Sequence, residues 1–398
     1  MTPHPSERRT RFTNALDAAQ QGHITPEAAR TLIRAEHVEE VTALLEAASQ
    51  VRDQFKGRLV TYSKKVFIPL TNLCRDYCGY CTFRKDPAEA GARTMKPDEV
   101  LAVAEAGAKL GCKEALFSLG DRPEALFPEM RSTLADLGHR STLSYLAEVC
   151  ERVLDETTLL PHPNPGLMGR ADMARLRQIS PSMGLMLEST SDRLALAGMA
   201  HDNAPDKKPA LRLRTIEEAG RLRIPFTTGV LIGIGETLDE RVDSLIAIRE
   251  LHQRYGHIQE VIIQNFRAKP DITMRDHPEP SLNDHARTIA VARLMMRDMN
   301  IQAPPNLSDD QYPLLLQSGI NDWGGISPLT RDFINPEKPW PHIDDLAQQT
   351  VRAGLELRER LAIYPEFVHN DEFLDEKLRQ RVRLMADDEG YARTDQDK

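Results

Sequence analysis

Val66-Phe67-Ile68-Pro69-Leu70-Thr71-Asn72-Leu73-Cys74-Arg75-Asp76-Tyr77-Cys78-Gly79-Tyr80-Cys81-Thr82-Phe83 is the stretch on which the rest of the chain hangs. Its first five residues form an apolar run that reads as a strand. Three of the chain's five cysteines follow at once, spaced C-x-x-x-C-x-x-C. Thiolates grouped this tightly can converge on one inorganic centre. Three cysteines satisfy three irons of a cubane 4Fe–4S cluster and leave the fourth iron open to a small molecule. Structural zinc wants four protein ligands, usually in two separated pairs, and no histidine stands close in sequence to complete a set. A disulfide suits an odd number of cysteines poorly, and nothing marks the chain as secreted. The two remaining cysteines, Cys112 and Cys150, stand alone and read as small buried hydrophobes.

Outward from that stretch, short apolar runs alternate with amphipathic helical segments, the pattern of repeated βα units on a parallel sheet. Val66–Leu70 is the first strand, and Ala115–Ser118 the second. Leu159-Leu160 begins a short third strand ending at His162-Pro163-Asn164-Pro165-Gly166. Met183–Glu188, Pro225–Ile232 and Ile258–Phe266 are the fourth, fifth and sixth. Ile301–Pro304 and an irregular element over Gly319–Ile326 supply the last two. Helices are expected over Lys96–Gly111, Ser141–Leu154, Pro209–Leu222, Asp239–Tyr255 and Leu282–Met299. The sum is an α/β fold: a complete or nearly complete (βα)8 TIM-type barrel, whose active site belongs at the C-terminal strand ends. Residues 1–60 read as a helical extension, with Thr25-Pro26-Glu27 as an N-cap followed by proline at the first helical position. Residues 61–341 form the barrel. Residues 342–398 return to helix and end in a charged, frayed tail of ten or so residues.

Hydrophobic residues make up 40% of the 398 and charged ones 28%, ample for a buried core. A net charge of −9 argues against a nucleic-acid partner, whose phosphates demand a basic face. No apolar run is long enough to span a bilayer, and Met1–Arg11 lacks the apolar core of a secretory signal. The expected setting is the cytoplasm, where thiols stay reduced.

The cysteine spacing resembles the signature of the radical S-adenosylmethionine (SAM) enzymes, and Tyr80 before the last cysteine fits it. That resemblance implies a 4Fe–4S cluster on Cys74, Cys78 and Cys81 with SAM as cofactor. It implies SAM contacts from Tyr80, from the loop Ser118-Leu119-Gly120-Asp121, and from Glu188 and Ser189 at the end of the fourth strand. Asp121 is suited to the methionyl ammonium, and Glu188 to the ribose hydroxyls. Arg212 occupies the place of an arginine that pairs with the methionyl carboxylate, a task for which the guanidinium fork is shaped. Arg214 is the neighbouring alternative. Gly229 to Glu236 matches a G-x-I-x-G-x-x-E pattern with Leu231 in the isoleucine position, placing Gly233 and Glu236 near the adenosyl group. Ile262 supplies an apolar wall for adenine.

Other stretches are foreign to SAM binding in general: His162 to Gly166, Gln302 to Asn306 and Asn321 to Pro328. Irregular segments at strand ends suit substrate recognition. Gln264 and Asn265 offer amide pairs, Asn306 and Asp322 pair with ring imides, and Trp323 offers a flat face for stacking. His201 and Asp202 read as an exposed polar loop.

Taken together, Ser63 to Cys74, Ser118 to Asp121, Ile224 to Thr237, Gly256 to Lys269, Gln302 to Leu307 and Asp322 to Gly325 resemble the 7,8-didemethyl-8-hydroxy-5-deazariboflavin synthases. The subunit resembled is the first, ring-closing one, over about Tyr62 to Pro341. The resemblance implies a lyase that closes the middle ring of the deazaflavin of coenzyme F420, with loss of ammonia and cleavage of SAM to methionine and 5′-deoxyadenosine. It implies a separate tyrosine-joining radical SAM subunit to make the substrate, because this chain has one cysteine triad. A low-potential donor such as ferredoxin or flavodoxin would feed the cluster. Sister activities share barrel and triad, namely the tyrosine-joining subunit and a menaquinone-pathway radical enzyme. A ferredoxin-like carrier or zinc module fits neither the three-cysteine count nor the length. No proton-transfer residue is assigned.

Overall fold

Eight parallel strands curl into a barrel around the chain's apolar runs in the computed structural model, which describes residues 5–393. They are β1 (Leu59–Pro69), β2 (Glu114–Ser118), β3 (Leu160–Asn164), β4 (Met183–Gly184), β5 (Phe226–Ile232), β6 (Ile258–Asn265), β7 (Ile301–Gln302) and β8 (Asp322–Ile326). Their order is β3-β2-β1-β8-β7-β6-β5-β4. Among the described residues no ladder joins β3 to β4, so the barrel is nearly closed with one seam. All seven residues of β5 are buried, as expected of a parallel strand covered on both faces. Helices follow the strands on the outside. That over Thr142–Glu156 starts in a capping box, where Ser144 N donates to Ser141 Oγ at 3.1 Å.

The N-terminal extension is three helices, Pro5–Gln20, Pro26–Leu32 and Val38–Lys56, with Thr25 capping the second through Ala28 N at 3.1 Å. Val38–Lys56 packs on the helix Leu282–Met295, which joins the extension to the barrel's outer layer.

The C-terminal region holds the expected helices, over Ile343–Arg352, Pro365–Val368 and Glu376–Met385, but adds a strand as well. A ninth strand, β9 (Glu356–Glu359), adds in parallel to the early half of β1, with Leu59 opposite Glu356. Its charged residues hide it from any apolar pattern, because an edge strand needs backbone partners more than buried side chains. Beyond it Arg360 to Tyr364 are at most 2% exposed, and Phe367 and Phe373 stack edge-on in a small second core. The tail is not frayed up to residue 393, since Ala386 and Ala392 form an antiparallel bridge. Residues 394–398 lie outside the described part. Cys112 and Cys150 are buried and free, as expected. Among the described residues no helix is long and apolar enough to cross a membrane.

Candidate active site

Past β1 the chain must turn over the barrel mouth, and backbone hydrogen bonds hold that turn on several sides. Gly120 N donates to Thr71 O at 2.9 Å and Arg75 N to Asp121 O at 3.0 Å. Gly79 N donates to Ala200 O at 2.8 Å, and Met274 N to Gly79 O at 3.0 Å. Gly120 is glycine for space, since any Cβ there would overlap the Leu73 carbonyl. Cys74 Sγ accepts from the backbone N–H of Asp121 at 3.2 Å and of Asp76 at 3.4 Å, donors that favour a thiolate. Burial, and then the Asp76 carboxylate, push the Cys74 thiol up to about 12, a bias that a bound cation reverses. Cys74, Cys78 and Cys81 all line one cavity of about 250 Å³ at the C-terminal strand ends.

The cavity is sharply polarised. Carboxylate oxygens of Asp76, Asp121 and Asp206 lie within 4.8 Å of one another. Arg122 Nε and Arg75 Nη1 reach Asp206 from one side at 3.2 and 3.3 Å. Among the described residues Asp76 Oδ2 and Asp121 Oδ1 accept no hydrogen bond, although Arg122 Nε stands 3.6 Å from Asp121 Oδ1. Burial, reinforced by Asp206, pushes Asp121 up to about 7, so a cationic ligand such as an ammonium would gain most here. Gly166, at φ +86°, leaves the space that the Asp121 carboxyl fills.

Across the cavity, Glu188 sits at φ +66°, costly for a non-glycine residue and held by β5 on both sides. Its N–H donates to Gly229 O at 3.1 Å, and its carbonyl accepts from Leu231 N at 3.0 Å. Lys207 Nζ pairs with Glu188 Oε1 at 2.6 Å. Burial raises the Glu188 carboxyl, but Lys207 and Arg212 together outweigh it and hold it below the usual range. Arg212, 3% exposed, anchors Nε on Met186 O at 2.6 Å and Nη1 on Asp206 O at 3.4 Å. Arg214 is exposed on the same helix. Tyr80 closes the wall, its hydroxyl 3.2 Å from His201 Nε2.

The structure thus gathers Cys74, Cys78, Cys81, Tyr80, Ser118, Gly120, Asp121, Glu188 and Arg212 around one space, with Gln264 and Asn265 on its far wall. It does not bring Ser189, Gly233 or Glu236 there. Ser189 Oγ accepts from Ser191 N at 3.1 Å. Glu236 is consumed by its own loop and by Arg241, accepting from Gly233 N at 2.8 Å, Ile234 N at 2.9 Å and Arg241 Nη2 at 2.7 Å. Ile262 lines a second, deeper chamber. His201 is no exposed loop residue; burial and then Lys207 drive its imidazole down to about 3.

Three expected substrate contacts also fall elsewhere. Trp323 is fully buried on the barrel's outer side, its Nε1 donating to Thr350 Oγ1 at 3.2 Å and its ring edge-on to Tyr312. Asp322 is fully buried and bound by Arg360, whose Nε lies 2.7 Å from Oδ2 and Nη2 3.0 Å from Oδ1. Asn306 donates to Asp332 at 3.0 Å and to Lys338 O at 3.2 Å, outside both chambers. Alternation along a strand explains Trp323, because 322–326 is a strand and not a loop, while Asp322 faces the other way and is consumed by Arg360. Sequence reasoning missed Lys207 and Asp206, whose setting in Pro205-Asp206-Lys207-Lys208-Pro209 reads as a solvated turn.

Below the cavity the deeper chamber continues into the barrel between Phe67, stacked on Trp340 at 5.0 Å, and a polar base of Lys65, Glu114, Glu260 and Arg360. Lys65 Nζ pairs with Glu114 Oε1 at 2.7 Å, and Arg360 Nη2 with Glu260 Oε1 at 3.2 Å.

A parallel barrel that presents three thiols beside an ammonium-seeking acid cluster and a buried arginine has the makings of a radical SAM enzyme. A family profile described as the Radical SAM superfamily matches residues 68–248. An FO synthase of Streptomyces avermitilis is 51% identical over 388 residues, covering 94% of this chain and 45% of that protein. The 7,8-didemethyl-8-hydroxy-5-deazariboflavin synthase of Methanopyrus kandleri is 49% identical over 335 residues, 84% of this chain and 100% of that protein. The chain belongs to the radical SAM FO synthase family. It spans a little under half the length of the Streptomyces relative. Among solved structures, the FeFe-hydrogenase maturase HydG from Carboxydothermus hydrogenoformans superposes with a TM-score of 0.72 at 17% identity, over 96% of this chain and 91% of that one. Methylornithine synthase (PylB) gives 0.67 at 20% identity, over 86% and 97%. At those identities the likeness is one of fold. Membership implies a 4Fe–4S cluster and SAM, and the three cavity-lining thiols, beside carboxylate oxygens that accept no hydrogen bond among the described residues, suit both.

Proposed function

We propose that this chain is the ring-closing synthase. It converts 5-amino-5-(4-hydroxybenzyl)-6-(D-ribitylimino)-5,6-dihydrouracil into 7,8-didemethyl-8-hydroxy-5-deazariboflavin with loss of ammonia, a step of coenzyme F420 biosynthesis. The observation that carries this reading is the 49% identity along the whole length of the Methanopyrus deazariboflavin synthase, in a chain with one cysteine triad. When bound, the cluster and SAM supply a 5′-deoxyadenosyl radical as hydrogen acceptor. The chain's own residues hold and orient. Cys74, Cys78 and Cys81 are the iron ligands. Asp121 takes the methionyl ammonium, Arg212 the carboxylate, and Glu188, kept ionised by Lys207, the ribose hydroxyls. Gln264 and Asn265 face the uracil-derived ring. The barrel wall excludes water from the reacting atoms.

The substrate comes from a second, tyrosine-joining radical SAM unit, and the electron from a ferredoxin or flavodoxin. Both belong in the reducing cytoplasm. Reconstituted protein given SAM, a low-potential reductant and the benzylated precursor should release ammonia and accumulate the fluorescent deazaflavin. Absence of deazaflavin, in protein that carries the cluster and binds SAM, would overturn the assignment.

A further inference from the structure

The deeper chamber is lined by polar side chains with hydrogen-bonding capacity that the described residues leave unused. His162, on β3, has Nδ1 2.7 Å from Ser182 Oγ. Ser182 spends its one hydrogen on the Ala362 carbonyl at 2.6 Å, so it can only accept from the imidazole. Nδ1 therefore carries the ring hydrogen, and Nε2 is a bare acceptor with no protein donor among the described residues. Gly184 keeps that edge of the ring open, since a Cβ there would stand 3.1 Å from Nε2. Burial first, with Lys65 and Arg360 adding to it against Glu114, holds the ring neutral, its pKa down to about 4.

On the facing strand β7, the Gln302 side-chain amide makes no hydrogen bond among the described residues, although the residue is only 7% exposed. Gln302 lies against Gly324, which stands at φ +75° and has no Cβ to block it. Beneath both, Lys65 spends one N–H on Glu114 and keeps two donors. The chamber thus offers an acceptor-only group, a donor-only group and an amide that is both.

We propose that this chamber is the subsite for the polyhydroxyl chain of the substrate, with His162 Nε2 accepting from one hydroxyl and Gln302 and Lys65 engaging others. The inference rests on the proposed function and assigns one end of its substrate. A hydroxyl both donates and accepts, so a polyol can serve all three groups at once, whereas a pyrimidine edge has a fixed donor pattern. The phenol ring is a poor occupant, because covering the charged base with an apolar face leaves ions without compensation. The site extends past the barrel proper, since Arg360 from the C-terminal segment helps build its base and the Ala362 carbonyl, through Ser182, fixes the His162 tautomer.

Binding of 5-amino-5-(4-hydroxybenzyl)-6-(D-ribitylimino)-5,6-dihydrouracil and of its 6-methylimino analogue, which lacks the polyol, should be titrated without reductant on the cluster-reconstituted full chain with SAM bound. The wild type should prefer the ribityl compound by about tenfold or more, the worth of one or two hydrogen bonds. His162→Phe and Gln302→Leu should each erase most of that preference, and His162→Gln, which restores an acceptor, should recover much of it. SAM affinity, measured on the same samples, reports whether each variant is folded. Equal binding of the two compounds by the wild type, or an undiminished preference in both folded variants, overturns the polyol subsite alone. If the wild type binds neither compound, the proposed function falls with it.

Discussion

Arg212 and Arg214 stand two residues apart on one helix, yet one is buried against the cavity and the other lies in solvent. The sequence left both open as partners for a carboxylate, because spacing alone says nothing of which face of a helix start turns inward. Arg212→Ala should weaken SAM binding by about 2–5 kcal/mol, the cost of truncating one side of a desolvated charge pair. Arg214→Ala should change it by less than about 0.5 kcal/mol, as for an ordinary surface substitution. Equilibrium titration with SAM decides between them; equal losses would contradict the placement. Gly120 makes a second test at this scale. Its missing Cβ lets the loop after β2 touch the Leu73 carbonyl, so Gly120→Ala must push the cysteine loop away. Iron per chain after reconstitution should fall while the barrel, read by far-ultraviolet circular dichroism, persists. Full iron retention would show that the contact is dispensable. The cysteines were legible because three grouped thiols have few other uses. Lys207 was not, because a charge beside prolines looks the same in solvent as beneath a buried glutamate.

Between elements, the least legible feature is the meeting of β8 with the segment after β9. Asp322-Trp323-Gly324-Gly325 reads as a loop because adjacent glycines usually mark turns. In the fold these glycines sit inside a strand, where Gly325 lets Lys65 pass and Gly324 lets Gln302 pass. Asp322 turns to Arg360, which also reaches Glu260, and all three are buried. Arg360→Ala would leave two carboxylates without their cation and should cost about 3–5 kcal/mol in denaturant unfolding. A loss below ~1 kcal/mol would mean that water reaches the pair. The helix Leu282–Met295 makes a pH-dependent contact with β6. His285 Nε2 donates to Ile263 O at 2.8 Å, and burial above all lowers its pKa to about 4. A folded value below the unfolded ~6.5 means that this stabilisation is complete above pH 6.5 and drains away as the pH falls toward 4. The stability lost between pH 7 and pH 5 should therefore be smaller in His285→Gln than in the wild type. Equal losses would show that His285 titrates normally.

Over the whole molecule, the barrel was readable because parallel strands covered on both faces must be apolar runs, and those runs recur with helices between them. The seam between β3 and β4 was not, since nothing in either strand's composition says whether it finds a neighbour. Nor was the role of the C-terminal segment, whose charged β9 and buried 361–364 close the end of the barrel opposite the cysteines. The resulting arrangement stacks two chambers in one barrel, thiols and acid cluster above, paired ions below. Under the proposed function, a radical supplied in the upper chamber would meet a substrate anchored in the lower one. Which substrate that is can be read from SAM itself. Reduced, cluster-loaded protein should be given either the benzylated dihydrouracil or tyrosine with 5-amino-6-(D-ribitylamino)uracil, and 5′-deoxyadenosine quantified in each. The ring-closing account predicts rapid release with the benzylated compound, with deazaflavin in step, and only slow background with the tyrosine pair. Fast release with the tyrosine pair and background with the benzylated compound would contradict it.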